Sequence, residues 1–394
     1  MNLDVHALRT FSQLAHSGAE KAAWSLSELT GMETHVDVTK VELETVDDVE
    51  CEFRENDFVS VRIGFSGGLD GRTILAFDRE GASNVVEAIL PGATAGDELA
   101  TSGLKEVGNI MLGGFIDGWA NHLDTSIDIT TPTYLDVDSD GPLDDFTVGD
   151  DRLEGDDDHV LVFRNQLQTA ADAVTFYLYM VPTAGSIRTI ADTATDVDEA
   201  LPIETFTAFS GMIADGAEQA SADISAMTGT ETTVDVSRLS FVPIEGVPMQ
   251  LDDASRVGVV LEFEGVPSGY IAILFDEASS EQIASALLPG ADAGEEMRQS
   301  AIQEIGNIIT SGFLDGWANR LETTIEISPP QFVHDLGPAI IDPLATELAQ
   351  GQDYAFLIDS TIRTDDDEFT CDIYALPNEA ELRQALDQLS ARPA

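Results

Sequence analysis

Apolar positions along the chain recur either every three to four residues or every second residue, so helices and strands are both expected. In the first half this pattern predicts a helix over about 5–30, strands over about 34–44, 58–65 and 71–77, a short helix over about 80–89 and a long helix over about 97–124. Runs of β-branched and aromatic residues then predict strands at Val160–Arg164 and Val174–Met180. This order of elements is typical of an α+β fold, with helices and strands mixed in one domain.

The whole pattern occurs twice. Shifting the sequence against itself by 198 residues aligns apolar, glycine and proline positions, including Phe11 with Phe209, Gly71 with Gly269 and Pro132 with Pro330. Beyond the proline pair the copies diverge through acidic stretches such as 149–158, and the offset then falls to 195, which pairs Tyr179 with Tyr374. Aspartates and Pro202 break the periodicity near 191–201. The sequence therefore predicts two homologous domains, 1–192 and 200–394.

The charge of the chain is strongly negative. Asp and Glu number 73 against 18 Lys and Arg, for a formal net charge of −55. Self-repulsion of this size destabilises a compact chain in dilute buffer, whereas at about 1 M salt the Debye length falls to about 3 Å and the repulsion is screened. We interpret the composition as adaptation to a salt-loaded cytoplasm, rather than as a cation-binding surface. Nucleic acid is excluded as a partner by the same charge.

Cysteines and apolar runs narrow the class of protein further. Cys51 and Cys371 do not occupy matching positions in the two copies, so neither a disulfide framework nor a cysteine metal site is expected. The start, Met1–Asp4, lacks the pattern of a signal peptide, and no stretch approaches the roughly 18 apolar residues of a membrane span. We expect a cytoplasmic protein without membrane insertion and without a metal or cofactor of its own.

The long helix of each copy has two faces. At 100° per residue one side of the first copy is apolar and carries Leu104, Val107, Met111 and Phe115, and His122 is expected on this core side as well. The opposite side, within an arc of about 60°, carries Ser102, Glu106, Asn109 and Gly113. The second copy repeats this side as Ser300, Glu304, Asn307 and Ser311.

A polar side of a helix can simply face solvent, but three features favour a functional surface. Asparagine is a poor helix former, and neither Glu106 nor Glu304 has a Lys or Arg three or four residues away. Both copies also share the Ser, Glu and Asn although neighbouring positions differ. Glutamate supplies a charge or a base, an amide can orient a water, and the small residue at Gly113 or Ser311 allows another protein's backbone to approach. We therefore expect the pair to be half of an active site that a partner completes.

The spacing Ser102-x3-Glu106-x2-Asn109-x22-Pro132, repeated from Ser300 to Pro330, resembles the signature of the CheC family of chemotaxis phosphatases, which includes CheX and FliY. The resemblance implies two CheC-like domains, each a β-sheet with long helices packed on one side and an internal pseudo-two-fold symmetry. In each half of such a domain the first helix carries Glu-x-x-Asn. Here Gln13 and His16, and in the second copy Gly211 and Ala214, stand at those places, so one site per copy is expected.

Family members dephosphorylate the aspartyl phosphate of the response regulator CheY. The resemblance implies that Glu106 and Glu304 grip a lysine of the regulator, that Asn109 and Asn307 align the attacking water, and that the regulator supplies its own Mg²⁺. Partner-binding roles are implied for Ser102 and Ser300, which support the helix surface, and for Pro132 and Pro330, which shape the chain beyond it. A CheY-P phosphatase is thus the leading hypothesis. The alternatives are a non-catalytic adaptor that binds CheY, the deamidase CheD or a motor component, and a structural subunit of the archaellum or flagellar switch.

Overall fold

The computed structural model of the protein describes residues 2–3, 5–45, 48–49, 52–53, 56, 58–90, 92, 98–136, 159–169, 174–194, 201–288, 294–364 and 369–390. The acidic stretch at 149–158 and Cys51 lie outside these residues. The chain divides into two compact units, unit 1 at Met1–Ile203 and unit 2 at Glu204–Ala394.

Unit 1 follows the predicted order of elements closely. In chain order it contains β1 (Asn2–Leu3), α1 (Val5–Thr30), β2 (Thr34–Thr45), β3 (Val59–Gly67), β4 (Gly71–Phe77), α2 (Arg79–Ile89), α3 (Glu98–His122), β5 (Ile127–Ile129), β6 (Thr133–Asp136), β7 (His159–Thr169), β8 (Thr175–Pro182), α4 (Ala184–Ala194) and β9 (Leu201–Pro202). The strand β9 pairs with β1. The short strands β5 and β6 and the helix α4 were not predicted.

The sheet of unit 1 is antiparallel, in the order β2-β7-β8-β4-β3, and both β5 and β6 pair with β3. Exchanging the half that begins with α1 for the half that begins with α3 leaves this order unchanged, because β2 takes the place of β5 and β6, and the hairpin β3-β4 takes the place of β7-β8. The internal pseudo-two-fold symmetry is therefore a property of the strand order.

Unit 2 repeats the same architecture. Its elements are α5 (Ile203–Thr228), β10 (Thr233–Pro243), β11 (Ser255–Glu264), β12 (Gly269–Phe275), α6 (Glu277–Leu287), α7 (Glu295–Leu321), β13 (Glu326–Ile327), β14 (Gln331–Leu336), α8 (Gly337–Leu348), β15 (Tyr354–Arg363), β16 (Thr370–Pro377) and α9 (Glu379–Ser390). The sheet order is β10-β15-β16-β12-β11, and β13 and β14 both pair with β11. The α+β prediction is confirmed for both units.

In each unit a long pair of helices covers one face of the sheet, with aromatic side chains between the two layers. Trp119 of α3 is fully buried and its ring lies 4.9 Å from that of Phe163 on β7. In unit 2, Trp317 of α7 lies 5.4 Å from the ring of Phe209 on α5. The helices α1 and α3 approach so closely that a Cβ on Gly118 would lie 2.8 Å from the Cα of Gly18. Burial of these rings fixes the helix layer on the sheet.

A helix that the sequence did not predict covers the opposite face of the sheet in unit 2. Ile340 and Ile341 of α8 pack there against Val242 and Leu274. Pro343 lies inside this helix, and proline usually ends a helix because it lacks a backbone N–H. Because of this proline, and because the two copies diverge in this region, the sequence pattern does not predict the helix.

None of the helices in the described part of the chain is long and apolar enough to cross a membrane.

Unit 1 holds a buried group of charges on its sheet. Arg164 of β7 is 5% exposed, with Nη1 at 2.8 Å from Glu42 and Nη2 at 3.1 Å from Glu44. Burial by itself would lower the pKa of Arg164, but Glu42, Glu44 and Glu52 outweigh burial, and the pKa is raised well above its ordinary value. The arginine therefore remains charged, and its removal would take a positive charge away from a group of buried carboxylates.

Unit 2 instead buries a carboxylate, that of Asp372 on β16. Thr361 donates a hydrogen bond to it at 3.0 Å, and Nη1 of Arg256 lies 3.4 Å from its second oxygen. Burial, followed by the charge of Asp359, raises the pKa of Asp372 to about 6. A carboxyl group whose pKa is higher in the folded chain favours folding at low pH. That contribution is complete below about pH 4 and is lost as the pH rises through about 6.

We expect Asp372→Asn to reduce the dependence of stability on pH. Between pH 5 and pH 7.5 the native chain should lose about 1.4 kcal/mol of stability that the variant does not lose, because only the native side chain must ionise inside the fold. The measurement is the unfolding midpoint of the full chain at both pH values in molar KCl. Parallel pH profiles for the two chains would contradict the assignment.

Candidate functional site

The polar sides of α3 and α7 form the candidate site of each unit. We call Ser102, Glu106, Asn109 and Gly113 the stripe of unit 1, and Ser300, Glu304, Asn307 and Ser311 the stripe of unit 2. In both stripes the first serine and the glutamate are exposed, whereas the asparagine and the small residue after it are half-buried. The opposite sides of the helices, which include Val107 and Ile305, are buried on the sheet. The two-faced helix therefore has the orientation that its periodicity predicts.

A glycine immediately before each asparagine allows the helix to pack closely against the sheet. A Cβ on Gly108 would lie 2.4 Å from Cγ1 of Val61 on β3, and one on Gly306 would lie 2.2 Å from Cγ2 of Val259 on β11. The valine side chain is stiff, so it cannot yield easily. Only glycine allows the helix backbone to approach the strand this closely, and the approach sets the height at which the neighbouring asparagine stands.

The glutamate and asparagine side chains of the stripes make no hydrogen bond or ion pair with the part of the chain that the structure describes. Among the residues that the structure describes, the carboxylates of Glu106 and Glu304 have no hydrogen bond or ion pair. The side-chain amides of Asn109 and Asn307 likewise have no partner among those residues. Asparagine inside a helix usually bonds to nearby backbone, so an unengaged amide at a half-buried position is available to another molecule.

The small residue at the end of each stripe is not required by internal packing. A Cβ on Gly113 would lie 3.7 Å from Cδ1 of Ile129, which is an ordinary contact. Ser311, at the same place in unit 2, donates its hydroxyl to the carbonyl of Asn307 at 2.8 Å. Ser300 similarly donates to the carbonyl of Glu296 at 3.0 Å. These hydroxyl protons are directed at the helix backbone, which leaves the outer lone pairs of the serines open.

The half-buried prolines, Pro132 and Pro330, lie in the turn that links β5 to β6 and β13 to β14. In unit 2 the side chain of Gln303 donates to the carbonyl of Pro330 at 3.0 Å, which ties the turn to α7. The turn is also held to the sheet, because the backbone N–H of Ser328 donates to the carbonyl of Glu262 at 2.8 Å. Lys105 occupies the place of Gln303 in unit 1.

The first helix of each unit presents different chemistry at the equivalent positions. Gln13 and His16 lie exposed on α1, and His16 is near Thr39 at 3.4 Å and Glu20 at 3.7 Å. On α5, Gly211 is exposed and Ala214 is half-buried. Neither helix therefore offers a glutamate and an asparagine at these places.

The side chain of His122 is exposed, and α3 ends at this residue. The prediction that it lies on the core side of its helix was therefore wrong. Within the described ranges, no three His, Cys, Asp or Glu side chains come together in a way that could hold a metal ion.

Comparison with known proteins gives the family of the chain. A model described as the CheC-like family matches residues 99–135 and 297–334, and each segment contains one stripe. CheC1 of Halobacterium salinarum, provisionally named a CheY-P phosphatase, is 32% identical over 172 residues, which cover 42% of this chain and 85% of that protein. The chain belongs to the CheC-like family. CheX of Thermotoga maritima, named a CheY-P phosphatase, is 41% identical over 75 residues, or 18% of this chain and 48% of that protein.

Solved structures with some likeness include FliY of Thermotoga maritima, with a TM-score of 0.40 and 19% identity over 49% of this chain and 97% of that one. CheX of Desulfovibrio desulfuricans has a TM-score of 0.31 and 16% identity, and covers 43% of this chain and 99% of its own. A CheX–CheY complex with BeF3 and Mg²⁺ from Borrelia burgdorferi has a TM-score of 0.30 and 19% identity, with 42% and 96% covered.

The close contact between Gly306 and Val259 predicts opposite effects on stability for two glycine-to-alanine changes within unit 2. Gly306→Ala should destabilise the protein by about 1 kcal/mol or more, because the added methyl overlaps Val259. Gly211→Ala, on an exposed helix position with nothing within 4 Å, should raise stability by about 0.5–1 kcal/mol. Urea unfolding of both variants in matched salt measures the difference. Equal stability of the two variants would show that the contact between Gly306 and Val259 leaves room for a methyl group.

Proposed function

We propose that the protein hydrolyses the aspartyl phosphate of the chemotaxis response regulator CheY, with one site on α3 and one on α7. The observation that carries this proposal is the Glu-x-x-Asn pair, an exposed glutamate and a half-buried asparagine on one helix face of each unit, with no side-chain partner among the described residues. Each pair lies within a segment that matches the CheC-like family, and relatives of the chain are named CheY-P phosphatases.

The asparagines act on the water. The side chains of Asn109 and Asn307 enter the regulator's active site, where the amide oxygen accepts a hydrogen bond from a water molecule and the amide N–H₂ donates to an oxygen nearby. This holds the water in line with the bond between phosphorus and the aspartyl oxygen. Water attacks phosphorus, that bond breaks, and the regulator recovers its carboxylate. Positioning of this kind is the main contribution a protein makes to phosphoryl transfer.

The glutamates hold the regulator in place. Glu106 and Glu304 stand one turn before the asparagines on the same exposed face, and each carboxylate pairs with a lysine of the regulator. The Mg²⁺ that the reaction requires belongs to the regulator, where it neutralises charge on the phosphoryl group. The catalytic residues are therefore Glu106, Asn109, Glu304 and Asn307, and the protein binds no cofactor of its own.

The remaining stripe residues shape the contact. Ser102 and Ser300 extend the polar face toward the start of the helix, and Gly113 and Ser311 keep its other end low enough for the regulator's backbone. Pro132 and Pro330 fix the turn beside the stripe. The hydrogen bond from Gln303 to the Pro330 carbonyl supports this role in unit 2.

Removal of both asparagines should abolish the activity. We expect Asn109→Ala and Asn307→Ala singly to retain the site of the other unit, and the double variant to lose about 100-fold or more of the acceleration, because the water is no longer aligned. The measurement is the decay of phosphorylated CheY in molar KCl. Asn121→Ala with Asn319→Ala, exposed asparagines on the same two helices but outside the stripes, is the matched control.

The outcomes separate an enzyme from an adaptor. A double variant as active as the native chain would overturn the catalytic assignment. A native chain that binds phosphorylated CheY without accelerating its decay would be an adaptor, and binding of CheD or of switch components would then be examined in the same way.

A further inference from the structure

An exposed apolar side chain lies at the start of each site helix. Leu99 is 60% exposed and Met297 is 46% exposed, although most apolar side chains of similar size in the chain are buried. The two residues are equivalent in the two copies. At 100° per residue Leu99 falls within about 20° of Glu106, so it lies on the stripe face rather than on the core face.

A second apolar residue borders the far end of the stripe in unit 1. Ile129 of β5 is 39% exposed, and its Cδ1 lies 3.7 Å from the place of a Cβ on Gly113. The rise of an α-helix places Leu99 about 21 Å from Gly113 along the axis. The polar stripe of unit 1 is therefore bordered by apolar side chains at both ends, so a partner that covers the whole stripe also covers apolar surface.

We infer that Leu99 and Met297 are the apolar anchors through which each unit docks the same response regulator, an inference that rests on the proposed function. A specific protein interface buries about 800 Å² on each partner, equivalent to a disc of about 16 Å radius. Leu99 lies ten residues from Asn109, or about 15 Å along the helix. A regulator whose active site surrounds Asn109 therefore covers Leu99 as well.

Charge gives a second argument, for an apolar contact rather than a purely charged one. The net charge of −55 would steer a partner in dilute buffer, but at about 1 M salt the Debye length of about 3 Å removes attraction beyond direct contact. Burial of apolar surface does not depend on that attraction. Anchors such as Leu99 and Met297 then supply affinity, the glutamates supply orientation, and the asparagines supply the chemistry.

This division of roles predicts distinct kinetic effects. Loss of an anchor weakens binding in the ground state and in the transition state equally, so KM rises while kcat is unchanged. Loss of the asparagine lowers kcat at any concentration of regulator. Met297→Ser removes an exposed apolar side chain that binding would cover, so we expect KM to rise about 10-fold.

The hydrolysis assay measures unit 2 alone, in a full-length chain in which Asn109→Ala has silenced hydrolysis at unit 1 but leaves Leu99 and Glu106 able to bind. Met297→Ser is compared with Met249→Ser. Met249 is 55% exposed in the same unit but lies in a turn, Pro248–Gln250, that packs beside α8. Initial rates are recorded against the concentration of phosphorylated CheY in molar KCl, and binding is measured in parallel with CheY in its BeF3-activated form.

The inference requires that Met297→Ser raises KM about 10-fold with kcat unchanged and weakens one of the two binding sites for CheY by the same factor, and that Met249→Ser changes neither quantity. An active parent chain for which both serine variants behave alike overturns the inference and leaves the proposed function intact. A parent chain that binds CheY without hydrolysis overturns the proposed function, while weaker binding of Met297→Ser would still support the anchor. A parent chain that neither binds nor hydrolyses overturns both.

Discussion

The candidate sites depend on one steric constraint, the contact between a helix glycine and a strand valine. At Gly108 and Gly306 no side chain separates the helix backbone from Val61 or Val259, and the helix lies as close to the sheet as its atoms allow. Because the next residue is the asparagine, this contact determines how far the amide stands above the sheet. Burial of the apolar side fixes the rotation of the helix about its own axis. This rotation and the height of the helix above the sheet together determine how the stripe faces solvent.

The two units keep this constraint while their interiors have diverged. Unit 1 buries Arg164 against Glu42 and Glu44, whereas unit 2 buries Asp372 beside Arg256. A buried ion pair contributes little net stability, and many arrangements of polar and apolar groups can fill such a space equally well. Both units keep the glutamate, the asparagine and the glycine before it, and the close contact with the strand valine leaves no room for a side chain at that glycine.

The acidic composition and the site serve different ends. With 73 acidic residues the chain presents negative charge almost everywhere, so the charge by itself distinguishes no surface. What distinguishes the stripe face is the combination of a glutamate that is exposed and unengaged by the residues that the structure describes, a half-buried amide, and an apolar residue at the helix start. In a strongly screened medium, contacts of short range decide which protein binds and where.

The duplication, the bounds of the long helices, the α+β class and the helix face that carries each stripe were all predictable from the sequence. These follow from local periodicity, which a helix or a strand expresses wherever it lies, and from comparison of one copy with the other. Four features required the three-dimensional structure. They are the close helix–strand contact at Gly108 and Gly306, the helix α8, the exposure of His122 and the exposed apolar side chain of Ile129 beside the stripe. Each depends on which distant residues meet across the sheet or where a helix ends, and a periodic pattern does not contain that information.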